Sequence, residues 1–358
     1  MKATSIFQWT IENDLAQIGE QAKLSFDQLR GGHIFLTGGT GFIGTWILEA
    51  IRFVNECQSA NIQVTILTRN LENFHSKYPK LVDHANFHYL IGDVIELDYD
   101  KLHGYEKFTH LIHAATDASA ELNEVNPLQM FDTIVLGTRQ ILDFAVKGQI
   151  SKVLYLSSGA VYGQQASGVD FVDENSASAP DCLNPKNTYA EGKRASEMLC
   201  SIYKKQHGTH IVVARIFALL GPLLNLDIHF AAGNFIRDAI SGRKIIISGD
   251  GRPERSYLYP SDLVVWLLAM LTHGKTGTAY NAGSEESVSI ADLAKLTSFL
   301  IGNQGYEILG LIDSGWNPGR YIPSCRLIKD QLGVKQTVSL AEAIKRTAYW
   351  NGWSEVQK

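Results

Sequence analysis

The chain is short of several features that would mark a specialised class. It has four cysteines in 358 residues, Cys57, Cys182, Cys200 and Cys325, and their spacing shows no pairing. That pattern argues against a disulfide framework and a zinc site, and for free thiols in a reducing, cytoplasmic setting. No apolar run approaches the length that spans a bilayer, so no membrane helix is expected. Residues Met1 to Gln21 carry Glu12, Asp14 and Glu20, which does not fit a signal peptide. Basic blocks are missing and the net charge is −5, so a nucleic-acid surface is not expected. The eleven histidines are scattered without ligand spacing, and no metal site is expected. No internal repeat or low-complexity linker is visible. What remains is 45% hydrophobic, ordinary for a globular protein, and long enough for one large α/β unit or two smaller ones.

The most informative stretch is His33-Ile-Phe-Leu-Thr-Gly-Gly-Thr-Gly-Phe-Ile-Gly44. Ile34 to Leu36 reads as a buried strand, and Gly38, Gly39, Gly41 and Gly44 follow. Behind them Phe42, Ile43, Trp46, Ile47, Ala50, Ile51 and Val54 recur at helical spacing. Strand, glycine turn and helix are the context the dinucleotide fingerprint Gly39-x-Gly41-x-x-Gly44 requires. Gly38, Gly41, Phe42, Ile43 and Gly44 are therefore candidate cofactor contacts, offering backbone N–H groups and a positive helix end to a pyrophosphate.

Further strands are expected at Ile62 to Leu67, Phe87 to Ile91, His110 to Ala114, Lys152 to Leu156 and Ile211 to Phe217. They alternate with helical patterns such as Met130 to Val146, which predicts right-handed βαβ units and a parallel sheet. After the second strand come Thr68, Arg69 and Asn70, where NAD-preferring sites usually carry an acid. Arg69 tips the expectation toward the 2′-phosphate of NADP and leaves NAD open. Asp93 is placed to accept a hydrogen bond from an adenine, with Val94 beside it; a helix cap is the alternative for Asp93. Ala114 and Ala115 are small enough for a cofactor to lie along their backbone.

The fifth strand runs into Ser157-Ser-Gly-Ala-Val-Tyr-Gly163, and Tyr189-Ala-Glu-Gly-Lys193 opens a later helix. Tyr189 and Lys193 share one helix face. An ammonium beside a phenol would lower its pKa, and the phenolate could take a proton from a sugar hydroxyl held by Ser158. Taken in this order, glycine turn, serine strand and Tyr-x-x-x-Lys resemble the extended short-chain dehydrogenases/reductases, the epimerases and dehydratases of nucleotide sugars. The resemblance spans residues 33 to about 350. It implies a doubly wound Rossmann-type α/β fold with a smaller C-terminal substrate lobe. It implies bound NAD(P), a nucleotide diphosphate sugar as substrate, catalysis by Ser158, Tyr189 and Lys193, and Lys193 on the nicotinamide ribose. Homodimers built from the Tyr189 helix and its neighbour are also implied; Met198, Leu199 and Ile202 suit such a face.

The expected organisation is a helical extension over 1–30, a cofactor domain over 31–217 with 257–283 returning to it, and a substrate lobe from 218–256 and 284–358. Gly249 to Asp262 resembles the substrate-lobe signature, with Arg255 expected on the diphosphate and Asp262 as a helix cap. Asn234 and, more weakly, Arg320 are further substrate candidates. The departures select among reactions. Dehydratases of the family place acids after the catalytic hydroxyl, where this chain has Gly159 and Ala160; Glu191 or Asp117 would have to substitute. That favours a 4-epimerase, with a 4,6-dehydratase, a 4-ketoreductase and a non-catalytic NAD(P)-binding protein as the alternatives. Ala218 and Ile134 replace asparagines common in the family.

Overall fold

A computed structural model describes residues 8–97, 107–116, 120–227, 231–302, 304–313, 315 and 318–354. Six strands, β1 (His33–Thr37), β2 (Gln63–Thr68), β3 (Phe87–Ile91), β4 (His110–His113), β5 (Lys152–Ser158) and β6 (Ile211–Ile216), join the Ala279–Ala282 strand in one sheet. Its order is β3-β2-β1-β4-β5-β6 and then Ala279–Ala282. Every pairing is parallel. Every residue of β1 is buried, as a central strand covered on both faces requires. The chain crosses from one half of the sheet to the other between β1 and β4, and ligands of open α/β sheets bind at the carboxyl ends beside such a crossing.

The 1–30 extension is more than an appendage. Helices Ile11–Gln21 and Lys23–Leu29 lay Leu15, Ile18, Phe26 and Leu29, all fully buried, into the main core cluster. The core they join includes helices Phe42–Gln58 and Pro260–His273. The second of these is therefore buried on every side from Pro260 to Thr272. Asp14, carried inward, accepts hydrogen bonds from Tyr259 Oη at 2.5 Å and Arg346 Nη1 at 2.7 Å. One carboxylate thus joins the extension to two other helices.

A separate core cluster holds the smaller lobe, from helices Ala231–Ile240, Ile290–Ile301 and Leu340–Trp350. Its short strand Glu254–Arg255 lies between Val288–Ser289, antiparallel, and Arg320–Tyr321, parallel. Asp262 fastens residues 337–338 to the buried helix, accepting from the Thr337 and Val338 N–H groups at 3.0 and 3.1 Å.

Candidate active site

The glycine turn is fixed by backbone contact. Gly38 has φ +70°, and a Cβ there would come within 2.6–2.7 Å of the Ala114–Ala115 peptide. The turn therefore lies directly on the end of β4. A Cβ on Gly44 would stand 2.4 Å from the Gly38 oxygen, so this glycine lets the helix press on the turn. Gly41 meets only that oxygen, at 3.4 Å, and otherwise faces open space. The helix that follows has no capping side chain, so the N–H groups of Phe42, Ile43 and Gly44 are available to an anion. This cradle fits a dinucleotide pyrophosphate.

A buried hydrogen-bond chain sets the other wall. Thr138 Oγ1 donates to the Ile134 carbonyl at 2.6 Å, so it accepts from His113 Nε2 at 3.1 Å. His113 Nδ1 then accepts from Thr37 Oγ1 at 2.7 Å, and Thr37 Oγ1 accepts the Ala115 N–H at 3.1 Å. The imidazole is neutral with its proton on Nε2. Burial, helped by the Lys193 charge, draws its pKa down to about 3. No local pattern marks His113 in the sequence, and only the fold shows that it orients Ala115.

At the outer end Arg69 is 60% exposed and stands 3.9 Å from Asp93 Oδ2. It borders a cavity of about 390 Å³ together with Thr40, Gly41, Asn70, Asn73 and Lys77. Asp93 Oδ1 accepts the Ile95 N–H at 2.9 Å, closing its own turn. Val94 is buried against Gly137, where a Cβ would stand 2.8 Å from Val94 Cγ1. Its side chain belongs to the core, which leaves its backbone for a ligand.

Ser158, Tyr189 and Lys193 converge at the end of β5. Ser158 closes the strand, and its Oγ accepts the Ala160 N–H at 3.1 Å to start the turn Gly159–Tyr162. Tyr189 sits in the first turn of helix Thr188–His207, with its N–H held by Asn123 Oδ1 at 3.2 Å. Lys193 is 2% exposed. Its Nζ donates to the Leu156 carbonyl at 2.7 Å and lies 5.9 Å from the Tyr189 ring centre. One expectation needs correction. The Tyr189 phenol is not acidified by its lysine in this geometry: burial raises its pKa, and the Ser158 hydroxyl is what opposes the rise. Burial also draws Lys193 down to about 7, against the pull of Glu197. The ammonium is thus poised between charge states.

The support for Lys193 is a network that periodicity does not reveal. Glu197, one turn further on, accepts from Arg215 Nε and Nη2 at 3.0 and 2.7 Å and from Ser157 Oγ at 2.6 Å. Arg215 Nη1 also donates to Tyr162 Oη at 2.8 Å, and Tyr162 donates to Asn281 Oδ1 at 2.8 Å. Tyr162 is therefore locked behind the serine strand, its pKa pushed up to about 12 by burial.

The substrate candidates are divided. Asn234 lies on helix Ala231–Ile240, half-buried. Arg255 Nη1 donates to the Glu254 carbonyl at 2.8 Å, while Asp250 and Glu254 bind other arginines. Arg252 takes Asp250 at 2.6 Å. Arg320 takes Glu254 at 3.1 Å and Asp170 at 3.2 Å. The weaker candidate, Arg320, is thus engaged by two carboxylates. Glu191 pairs with Arg194 at 3.6 Å, and Asp117 lies outside the described residues. Tyr321, which no motif marks, lies over the residue after the serine: a Cβ on Gly159 would meet its hydroxyl and Phe217 Cζ at 2.6 Å. Among the described residues, no cluster of His, Cys, Asp and Glu could hold a metal ion.

The sequence and the fold have counterparts. The model of the NAD dependent epimerase/dehydratase family matches residues 34–283. The chain belongs to that family. It is an enzyme of the nucleotide-sugar epimerase, dehydratase and decarboxylase kind, in a family that is NAD dependent. It is 30% identical to UDP-glucuronic acid decarboxylase 1 of Xenopus tropicalis, over 88% of this chain and 71% of that one. It is 27% identical to the dTDP-D-glucose 4,6-dehydratase of Mus musculus, over 91% of each. A solved structure of UDP-glucuronic acid 4-epimerase from Bacillus cereus, with UDP-glucuronic acid and NAD, shares the fold at TM-score 0.74. That match has 22% identity and covers 89% of this chain and 98% of the other.

Proposed function

We propose that this family member is a 4-epimerase of a nucleotide diphosphate sugar, working through a transient 4-keto sugar. The observation that carries the reading is the surroundings of Ser158. Gly159 and Ala160 carry no carboxyl group, and the Phe217 ring and the Tyr321 phenol, rather than an acid of the carboxylate kind, occupy the volume above Gly159. Loss of water from a 4-keto sugar needs one group to protonate the departing hydroxyl and another to take the C5 proton. Oxidation at C4 followed by reduction from the opposite face needs neither.

In this mechanism Tyr189 takes the O4 proton, and Ser158 holds O4 in line with it. Bound NAD(P) would supply the hydride acceptor, and a nicotinamide charge near Tyr189 would favour the phenolate. Lys193, on the same helix face as Tyr189, is the candidate contact for the nicotinamide ribose. Gly38, Gly41, Phe42, Ile43 and Gly44 hold the pyrophosphate, with Ala114 and Ala115 along its other side. Asp93 and the Val94 backbone receive the adenine, and Arg69 the 2′-phosphate if the cofactor is NADP. Arg255 takes the sugar diphosphate, with Asn234 and Arg320 as lesser contacts. When the 4-keto sugar turns over, Tyr189 returns the proton to O4. Exposed Leu136, Met198 and Ile202 on the adjoining helices Pro127–Lys147 and Thr188–His207 support a homodimer through that face.

Incubation with UDP-, dTDP-, CDP- and GDP-hexoses tests the assignment. The 4-epimer should form with no net NAD(P)H. A 4-keto-6-deoxy product would mean a dehydratase, and stoichiometric NAD(P)H use a ketoreductase. A second reading is favoured by the likeness to UDP-glucuronic acid decarboxylases. A uronic acid oxidised at C4 is a β-keto acid, which loses CO₂ without an acid beside Ser158. Release of CO₂ from UDP-glucuronic acid would decide for it.

A further inference from the structure

Lys193 must hold its ammonium with almost no solvent. It is 2% exposed, and burial works against the charged form. A buried charge of this kind is normally paired with a carboxylate. Lys193 makes no ion pair among the described residues; Glu197, one turn along its helix, is taken by Arg215 at 2.7 Å and by Ser157 at 2.6 Å. What the Lys193 Nζ does meet is the Leu156 carbonyl, at 2.7 Å, and the face of the Tyr155 ring, 5.0 Å from the ring centre. That is nearer than the Tyr189 ring, at 5.9 Å. Tyr155 is itself buried on β5, and the His113 ring packs on it with centroids 5.5 Å apart.

We propose that Tyr155 is a positioning residue: the face of its ring holds the Lys193 ammonium where a carboxylate would otherwise be needed, and fixes Nζ beside Tyr189. The inference rests on the proposed function, in which Lys193 meets the nicotinamide ribose. The negative face of an aromatic ring attracts a cation without accepting a directed hydrogen bond. An ammonium has three N–H groups, and the Leu156 carbonyl accepts one. The ring therefore leaves two for a ribose, whereas a carboxylate would draw on them. The groups facing Nζ are Tyr189, Glu197 and Cys200 on its own helix, Tyr155 and the Leu156 carbonyl on β5, and His113 on β4. His113 is neutral and burial keeps Cys200 a thiol, so Glu197 is the one formal charge among them, and Arg215 offsets it.

The test replaces Tyr155 by phenylalanine and by its 4-fluoro, 3,5-difluoro and 3,4,5-trifluoro forms, introduced by codon suppression. Shape changes little along this series, while each fluorine withdraws negative charge from the ring face. In the full chain carrying ¹³Cε-lysine, the Lys193 resonance is assigned with Lys193→Met and titrated by NMR. Tyr155→Phe should keep the wild-type midpoint. The fluorinated rings should lower it stepwise, by roughly 0.5–1.5 pH units in all. The alkaline limb of kcat/KM should move down with it. Equal midpoints along the series would overturn the proposal. So would a midpoint lowered only in Tyr155→Leu, which would reduce the ring to packing. The titration does not depend on turnover. A stepwise fall in a protein that converts no nucleotide sugar would sink the 4-epimerase reading and leave this contact standing. Turnover with a flat series would do the reverse.

Discussion

The two ends of the cleft are built on different principles. The cofactor end is made of backbone: Gly38 lies on the Ala114–Ala115 peptide, Gly44 on Gly38, and an uncapped helix start faces outward. Its glycines fall within seven residues of one another, and each works by lacking a side chain. The substrate end is made of side chains from distant segments, and they compete for one another. Arg252 is engaged by Asp250, and Arg320 by Glu254 and Asp170. A cradle of backbone tolerates little change at the glycines but little depends on any single charge. A lobe of paired side chains distributes its charges, so losing one pair member matters less.

The sharpest way to break this contrast lies where the ends meet. Tyr189→Phe should reduce turnover by at least ~10²–10⁴-fold while cofactor stays bound, as mass spectrometry of released small molecules would show. Near-normal activity would remove the base from the mechanism. Next comes Gly38→Ala. Its positive φ alone is worth roughly 1–3 kcal/mol, and the Cβ would collide with the Ala114–Ala115 peptide. Cofactor affinity by calorimetry should collapse, whereas Arg320→Ala should leave it intact.

Lys193 gives a pH signature. Its folded pKa is drawn from 10.5 to about 7, so between those values the unfolded chain holds more protons than the folded one. Stability from this group therefore rises with pH through that window. Lys193→Met removes the buried charge, so its melting temperature should exceed that of wild type most below pH 7 and least near pH 10. A constant difference across that range would contradict the assigned burial cost. The smallest effect is expected for Arg320→Ala, within about 1 kcal/mol in denaturant unfolding, because its pairs are partly exposed. A larger loss would mean that the small lobe is less redundant than its paired arginines suggest.

Legibility followed the same division. The glycine turn, the sheet strands and the serine strand were readable because a parallel strand buried on both faces is a short apolar run, and a tight turn must be glycine. The Tyr189–Lys193 pair was readable by order along the chain. The direction of the Tyr189 shift was not, because burial raises it and burial is set by segments remote from it in sequence. The 1–30 extension was legible as helices but not as the cover that lets Pro260–His273 be apolar all round.

Residue order alone determined the parallel sheet, the dinucleotide cradle and which tyrosine and lysine face one another, because each depends on spacings within one strand, turn or helix. Tertiary structure decided the rest. It placed the Tyr321 phenol in the gap at Gly159, set His113 to orient Ala115, and gave Arg320 to carboxylates more than sixty residues away in the chain. Such contacts form only when segments remote in sequence pack together, and no local period encodes which side chains will then meet.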